Sequence, residues 1–189
     1  MPPQNVWPTY SSRIAGVWKT ISFEIHSPTD PNAVLAKPHG DKPLGRVQIS
    51  PLGYLSAHMA DPQRMSSALP SGPSGKAWVQ AGDVEVAAVA RAVSTYCGYL
   101  ELFEGSPGGE GGQGGGEEGQ GKGEESKGLW WQTRVDVSSD PSRMGGLEVR
   151  NVELMDEGGK QFMVLRPKND MVLEDGTRGR GVLKWEKIE

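Results

Sequence analysis

Read for its alternation of apolar and polar positions, the chain is mostly a series of strands. Residues 14–26, IAGVWKTISFEIH, alternate with period two and are rich in β-branched and aromatic residues. Trp18, Thr20, Ser22, Glu24 and His26 share one face; Val17, Lys19, Ile21, Phe23 and Ile25 share the other. On burial alone, the second face points to the core. Residues 44–62, LGRVQISPLGYLSAHMADP, read as a hairpin turning at 51–53, with Tyr54, Ser56 and His58 opposite Leu55, Ala57 and Met59. MSSALPSGPSG (65–75) reads as a loop. DVEVAAVARAVSTYCG (83–98) has helical spacing at Val86, Val89, Ala90, Val93 and Tyr96, with Asp83 as cap and Gly98 as stop. Strand patterning then returns in YLELFE, LWWQTRVDV, LEVRNVELM, QFMVLR and GVLKWEKI, with turn residues in DEGGK and EDGTRGR. About eight strands in hairpin order with one α-helix predict a mainly β protein, an antiparallel up-and-down β-barrel, with a sandwich as the competing architecture.

Composition narrows the picture. A chain of 189 residues suits one domain: a leader at 1–13 and a barrel at 14–189, interrupted by the Gly/Glu-rich stretch 105–128. That stretch holds 12 of the 27 glycines and no core-forming residue, so it reads as a solvated tether. Within it, Gly116 to Lys122 matches part of a phosphate-binding loop, but Gly123 stands where Ser or Thr would hold magnesium and two glutamates would repel a phosphate. A net charge of -4 and scattered basic residues argue against nucleic acid. No apolar run approaches the roughly 20 residues that span a bilayer, so no membrane is expected. The start MPPQNVWPTYSSR carries no secretory pattern, and a cytoplasmic location is expected. Cys97 is the single cysteine, and His26, His39 and His58 show no ligand spacing, so neither a disulfide nor a metal is expected.

A resemblance emerges from the two ends of the chain. Gly16-Val17-Trp18 opens the first strand and GVLKWEK (181–187) closes the last. With AGVWKTISFE, PLGRVQISPLGYLSAHM, the segment leading into YCGYLEL, and VRNVEL, the chain resembles the lipocalin-like domain family. That resemblance implies a barrel whose floor is closed by the indole of Trp18, with a basic residue near the chain's end packed over it. One departure stands out: WWQTRVDV occupies a strand where relatives often carry histidine, so no histidine chemistry carries over there.

With Trp18 in the floor, strand parity sends Thr20, Ser22 and Glu24 into the barrel and leaves the apolar face to be covered by the helix. A carboxylate stripped of water has a raised pKa and serves as general acid or base, which makes Glu24 the candidate catalytic group. His58 from the hairpin, and Arg134 as an oxyanion or carbonyl partner, complete the catalytic set. Trp18, Ser22, Tyr54, Ser56, Trp130, Gln132 and Phe162 form the expected substrate-binding set. Arg150 and Arg166 are expected at the rim or outer face, because long cations keep their heads in water. Trp7 is expected in a loose leader, and Cys97 buried and inert.

The resemblance implies a cofactor-free cyclase or isomerase acting on a small hydrophobic metabolite of polyketide or terpenoid type. The alternative is a non-catalytic carrier for such a metabolite. A homodimer is the only macromolecular assembly kept open besides a third, weaker reading in which the tether recruits a partner.

Overall fold

The computed structural model describes residues 3–69, 77–105, 107 and 128–189. In chain order the elements are α1 (Trp7–Ile14), β1 (Gly16–His26), β2 (Val34–Ala36), β3 (Leu44–Ile49), β4 (Tyr54–Ala60) and α2 (Pro62–Ala68). After a 3-10 turn at Trp78–Gln80 come α3 (Asp83–Arg91), β5 (Val93–Glu104) and β6 (Leu129–Ser138). A second 3-10 turn, Pro141–Arg143, precedes β7 (Leu147–Glu157), β8 (Lys160–Pro167), β9 (Met171–Val172) and β10 (Arg178–Lys187).

Eight strands pair antiparallel in the order β1-β3-β4-β5-β6-β7-β8-β10, and β10 pairs back onto β1 to close the barrel. Closure leaves no long unpaired edge. The short strands β2 and β9 extend β1 and β10 beyond the ring. The expected antiparallel barrel is therefore present.

One end is plugged by the residues expected to be a loose leader. Trp7 is buried and donates its indole N–H to the carbonyl of Pro51 at 3.0 Å. Asn5 accepts from the amides of Trp7 and Leu102, which ties the start of α1 to β5. Ile14, at the end of α1, is fully buried, and its carbonyl accepts the indole N–H of Trp18 at 2.9 Å. The Lys187 ammonium lies 5.6 Å from the centre of the Trp18 ring and donates to the carbonyl of Arg13. Gly16 is required at this joint: its φ is +131°, and a Cβ there would meet the carbonyl oxygen of Glu189 at 2.1 Å. The motif G-x-W thus closes the floor through a backbone constraint and a buried indole.

Two local readings need correction. The helix ends at Arg91, not Gly98, because residues from Val93 onward pair with β4, with Val93 opposite Ala60 and Tyr96 opposite Ala57. Ladder hydrogen bonds and two-sided burial override the helical spacing there. Nor does α3 cover β1; it lies at the barrel end opposite α1, beside α2 and the start of β5. Part of the expected loop at 65–75 is helical, since α2 runs to Ala68 under a cap by the Asp61 carboxylate; 70–75 lie outside the described residues. So does the 105–128 tether, apart from Gly105, Pro107 and Gly128. No helix among the described residues is long and apolar enough to cross a membrane.

Candidate functional site: the barrel lumen

The lumen is decided by a single extra residue in β1. Trp18 and Thr20 point inward, but between Thr20 and Ser22 the register on β10 advances by one residue instead of two. Thr20 sits opposite Trp185 and Ser22 opposite Lys184, so Ile21 is a β-bulge. Alternation resumes out of phase. Phe23 and Ile25 are buried, while Ser22, Glu24 and His26 face the outside.

The expected orientation of Ser22 and Glu24 is thereby reversed; Thr20 alone of that group faces inward. Glu24 lies on the outer face, 3.2 Å from the His26 Nε2 and 3.9 Å from the Lys37 Nζ. Such half-exposed pairs are worth little.

The other expected site residues are also on the outer wall. In β4, Leu55, Ala57 and Met59 are buried and Tyr54, Ser56 and His58 face away, with Ser56 Oγ 3.0 Å from His58 Nε2. Tyr54 packs edge-on against Tyr99, and a hydrogen bond to Cys97 is the main cause that pushes its phenol up to about 12. In β6, Trp131, Thr133 and Val135 point inward, so Trp130, Gln132 and Arg134 do not. Trp130 stacks on Phe103 at 4.4 Å, Gln132 donates to Glu101, and Arg134 is exposed. Phe162 lies under the ammonium of Lys184 at 4.7 Å, on the outer face of β8. Trp18 faces inward but serves the floor. None of these residues lines the cavity.

What does line it is a cavity of about 580 Å³ in the half of the barrel away from α1. Its apolar wall comes from Phe23, Val47, Leu55, Ala57, Met59, Leu165, Leu183 and Trp185. One side is polar: Tyr96 from β5, Arg143 from the 3-10 turn, and Glu148 and Arg150 from β7. Arg143 Nε donates to one Glu148 oxygen at 2.7 Å and Arg150 donates to the other at 3.0 Å. The Arg143 guanidinium also sits over the Tyr96 ring, 4.4 Å from its centre. Burial disfavours the charge on Arg150, but Tyr96 and Glu148 outweigh it and hold its pKa above the ordinary guanidinium value.

Arg150 is the reverse of its expectation: it is 9% exposed and faces the lumen, whereas Arg166 does lie outside, paired with Glu153 at 2.8 Å. The strand LEVRNVELM offers two mixed faces, Leu147/Val149/Asn151/Glu153 and Glu148/Arg150/Val152/Leu154. Leu147, Val149 and Met155 on one face match Val152 and Leu154 on the other, so the pattern did not tell which turned inward. Tyr96 was hidden by its helical spacing.

Buried polar atoms on inward-facing positions add to the polar character. Thr20 Oγ1, Trp131 Nε1, Thr133 Oγ1 and Trp185 Nε1 have no hydrogen-bond partner among the described residues. Trp131 and Thr133 are the cross-strand neighbours of Arg150 and Glu148. At the far end, His39 packs against the cavity residue Phe23, with ring centres 5.8 Å apart. Burial lowers the His39 pKa, with Asp61 opposing the shift.

A closed antiparallel barrel with one plugged end and a largely apolar, partly charged lumen defines a small-molecule-binding barrel. A family model described as a lipocalin-like domain matches residues 15–188, and the chain belongs to that family. No curated protein and no solved structure matches the chain.

Proposed function

We propose that the protein binds one small, mostly apolar metabolite in the barrel lumen, with the molecule entering at the end opposite α1. The observation that carries this reading is the cavity itself, about 580 Å³ and walled by aromatic and aliphatic side chains. That size lies within the range of pockets that hold drug-sized molecules. The floor residues Trp7, Ile14 and Trp18 are buried and packed, which leaves the opposite end as the entrance.

Cofactor-free cyclisation or isomerisation of a polyketide- or terpenoid-type intermediate is the second reading. One observation favours it over simple carriage: Tyr96 and Glu148 stand beside two guanidinium groups on the cavity wall. There Glu148 would move a proton and Arg150 would stabilise a developing oxyanion. This set replaces Glu24, His58 and Arg134 as the groups positioned for chemistry.

The test is a fluorescence titration with 1-pyrenebutanol. Wild-type protein is expected to bind one molecule saturably, and Ala57→Trp, which fills the lumen from β4, to weaken binding at least about tenfold. Met59→Trp, nearer the mouth, serves the same purpose should Ala57→Trp fail to fold. Glu24→Gln, altered only on the outer wall, binds as the wild type does. Unchanged binding in a folded lumen-filling variant would overturn the reading.

A further inference from the structure

We infer that the ligand is an amphipathic anion whose acid group is seated at the Arg143–Arg150 side of the lumen and whose apolar body lies against Phe23, Leu183 and Trp185. This deepens the lumen-binding reading and rests on it. The argument is one of charge. The residues lining the cavity include three cations, Arg143, Arg150 and Lys168, and one carboxylate, Glu148. The lumen therefore carries an excess of two positive charges in a chain whose net charge is -4.

A single carboxylate shared by two guanidiniums satisfies neither charge completely. Arg143 uses its Nε, and Arg150 one terminal nitrogen, toward Glu148. A guanidinium has five N–H donors in a planar fork. Arg150, at 9% exposure, keeps its charge with the help of Tyr96 and Glu148. The Arg143–Glu148–Arg150 cluster still carries one net positive charge, which an incoming anion neutralises. A carboxylate or an acidic enol has the shape and charge for that fork.

A merely structural Arg150–Glu148 pair would need no second cation. Arg143 is held in place regardless, with its guanidinium over the Tyr96 ring, where it turns the same polar side further positive. Among the described residues, Lys168 has no ion-pair partner and adds its charge at the cavity edge. The indole N–H of Trp185, in the opposite apolar wall, is buried without an acceptor. The positive charge of the lining disfavours cations and purely hydrocarbon ligands alike.

The experiment compares 1-pyrenebutyrate with 1-pyrenebutanol on the full chain at neutral pH and low salt. The acid is expected to bind roughly tenfold or more tightly than the alcohol, the advantage of a charge-assisted contact in a partly desolvated site. Arg150→Met is expected to abolish that ratio. Arg143→Gln, which leaves the Arg150–Glu148 pair intact and so preserves the fold, reduces it several-fold. Equal affinity for acid and alcohol overturns the anion assignment while leaving lumen binding standing. A full preference for the acid in folded Arg150→Met or Arg143→Gln overturns it as well. Failure of both probes to bind overturns the lumen reading itself.

Discussion

Deletion of Ile21 is the most demanding test of the way this barrel is built. Ile21 is the extra residue of the β1 bulge and is itself largely exposed, at 38%. Without it, Ser22 follows Thr20 directly, as Lys184 and Trp185 are consecutive on β10, so plain alternation keeps Phe23 and Ile25 inward with no bulge. With Ile21 present and unbulged, Phe23 and Ile25 would instead turn outward and Ser22, Glu24 and His26 inward. Phe23 and Ile25 are now 7% and 2% exposed. Exposing each costs about 1.5–3 kcal/mol, or about 3–6 kcal/mol together. Drawing the Glu24 carboxylate inside without its outer-face partners adds several kcal/mol more. The sum reaches or exceeds about 6 kcal/mol, against a total stability of about 5–15 kcal/mol for a domain of this kind. It is the cost that the bulge avoids while Ile21 is present, and that the deletion variant avoids without a bulge.

Ile21→Ala is the control, removing the side chain and keeping the backbone count, at an expected cost below about 1 kcal/mol. Urea unfolding followed by tryptophan fluorescence compares the two. Both variants should stay folded and within about 2 kcal/mol of wild type, because Phe23 and Ile25 stay inward in each. A deletion variant that is unfolded would refute the reasoning, since Ile21 would then not be the extra residue of the strand.

Two further outcomes are expected. The amide of Gly105 donates to the carbonyl of Gly128 at 2.7 Å, so the ends of the Gly/Glu-rich stretch already meet. Replacing residues 106–127 by a two-residue turn should therefore leave the melting temperature and probe binding unchanged, checked by thermal denaturation and pyrenebutanol titration. His39 has a folded-state pKa below its ordinary 6.5, so the unfolded chain binds more protons than the folded one between those two values. Its contribution to stability is complete above about 6.5 and falls as pH drops toward the folded value. His39→Phe should flatten that slope in denaturation curves recorded from pH 7.5 to 5; an unchanged slope would rule His39 out as its source.

Much of the strand content was legible because alternation is local. Each of the strands at 14–26, 44–49, 54–60, 129–137, 147–155, 161–166 and 181–188 announces itself by period two and by bounding turn residues. The floor was legible in part: G-x-W and a terminal lysine pointed to a closed end, and Trp18 and Lys187 meet there. The cap formed by α1 was not, since eight residues with Pro near the start carry too few turns to show a helical period. Residues 92–98 fit a helix by spacing and were claimed for β5 by pairing with β4.

The sequence by itself determined that the chain would be built of alternating antiparallel strands, with barrel and sandwich both open, and which side chains share a face within each unbroken stretch. Only the tertiary structure decided which face looks inward. Ile21 shifts the phase of β1 midway through the strand, and no local pattern records a bulge, because it exists only as a mismatch in register with β10. The mixed faces of β4, β6 and β7 were likewise settled by closure, which requires the inward residues of neighbouring strands to fit one enclosed volume. That requirement placed Arg150, Glu148 and Tyr96 on the cavity and left Glu24, His58 and Arg134 on the outside.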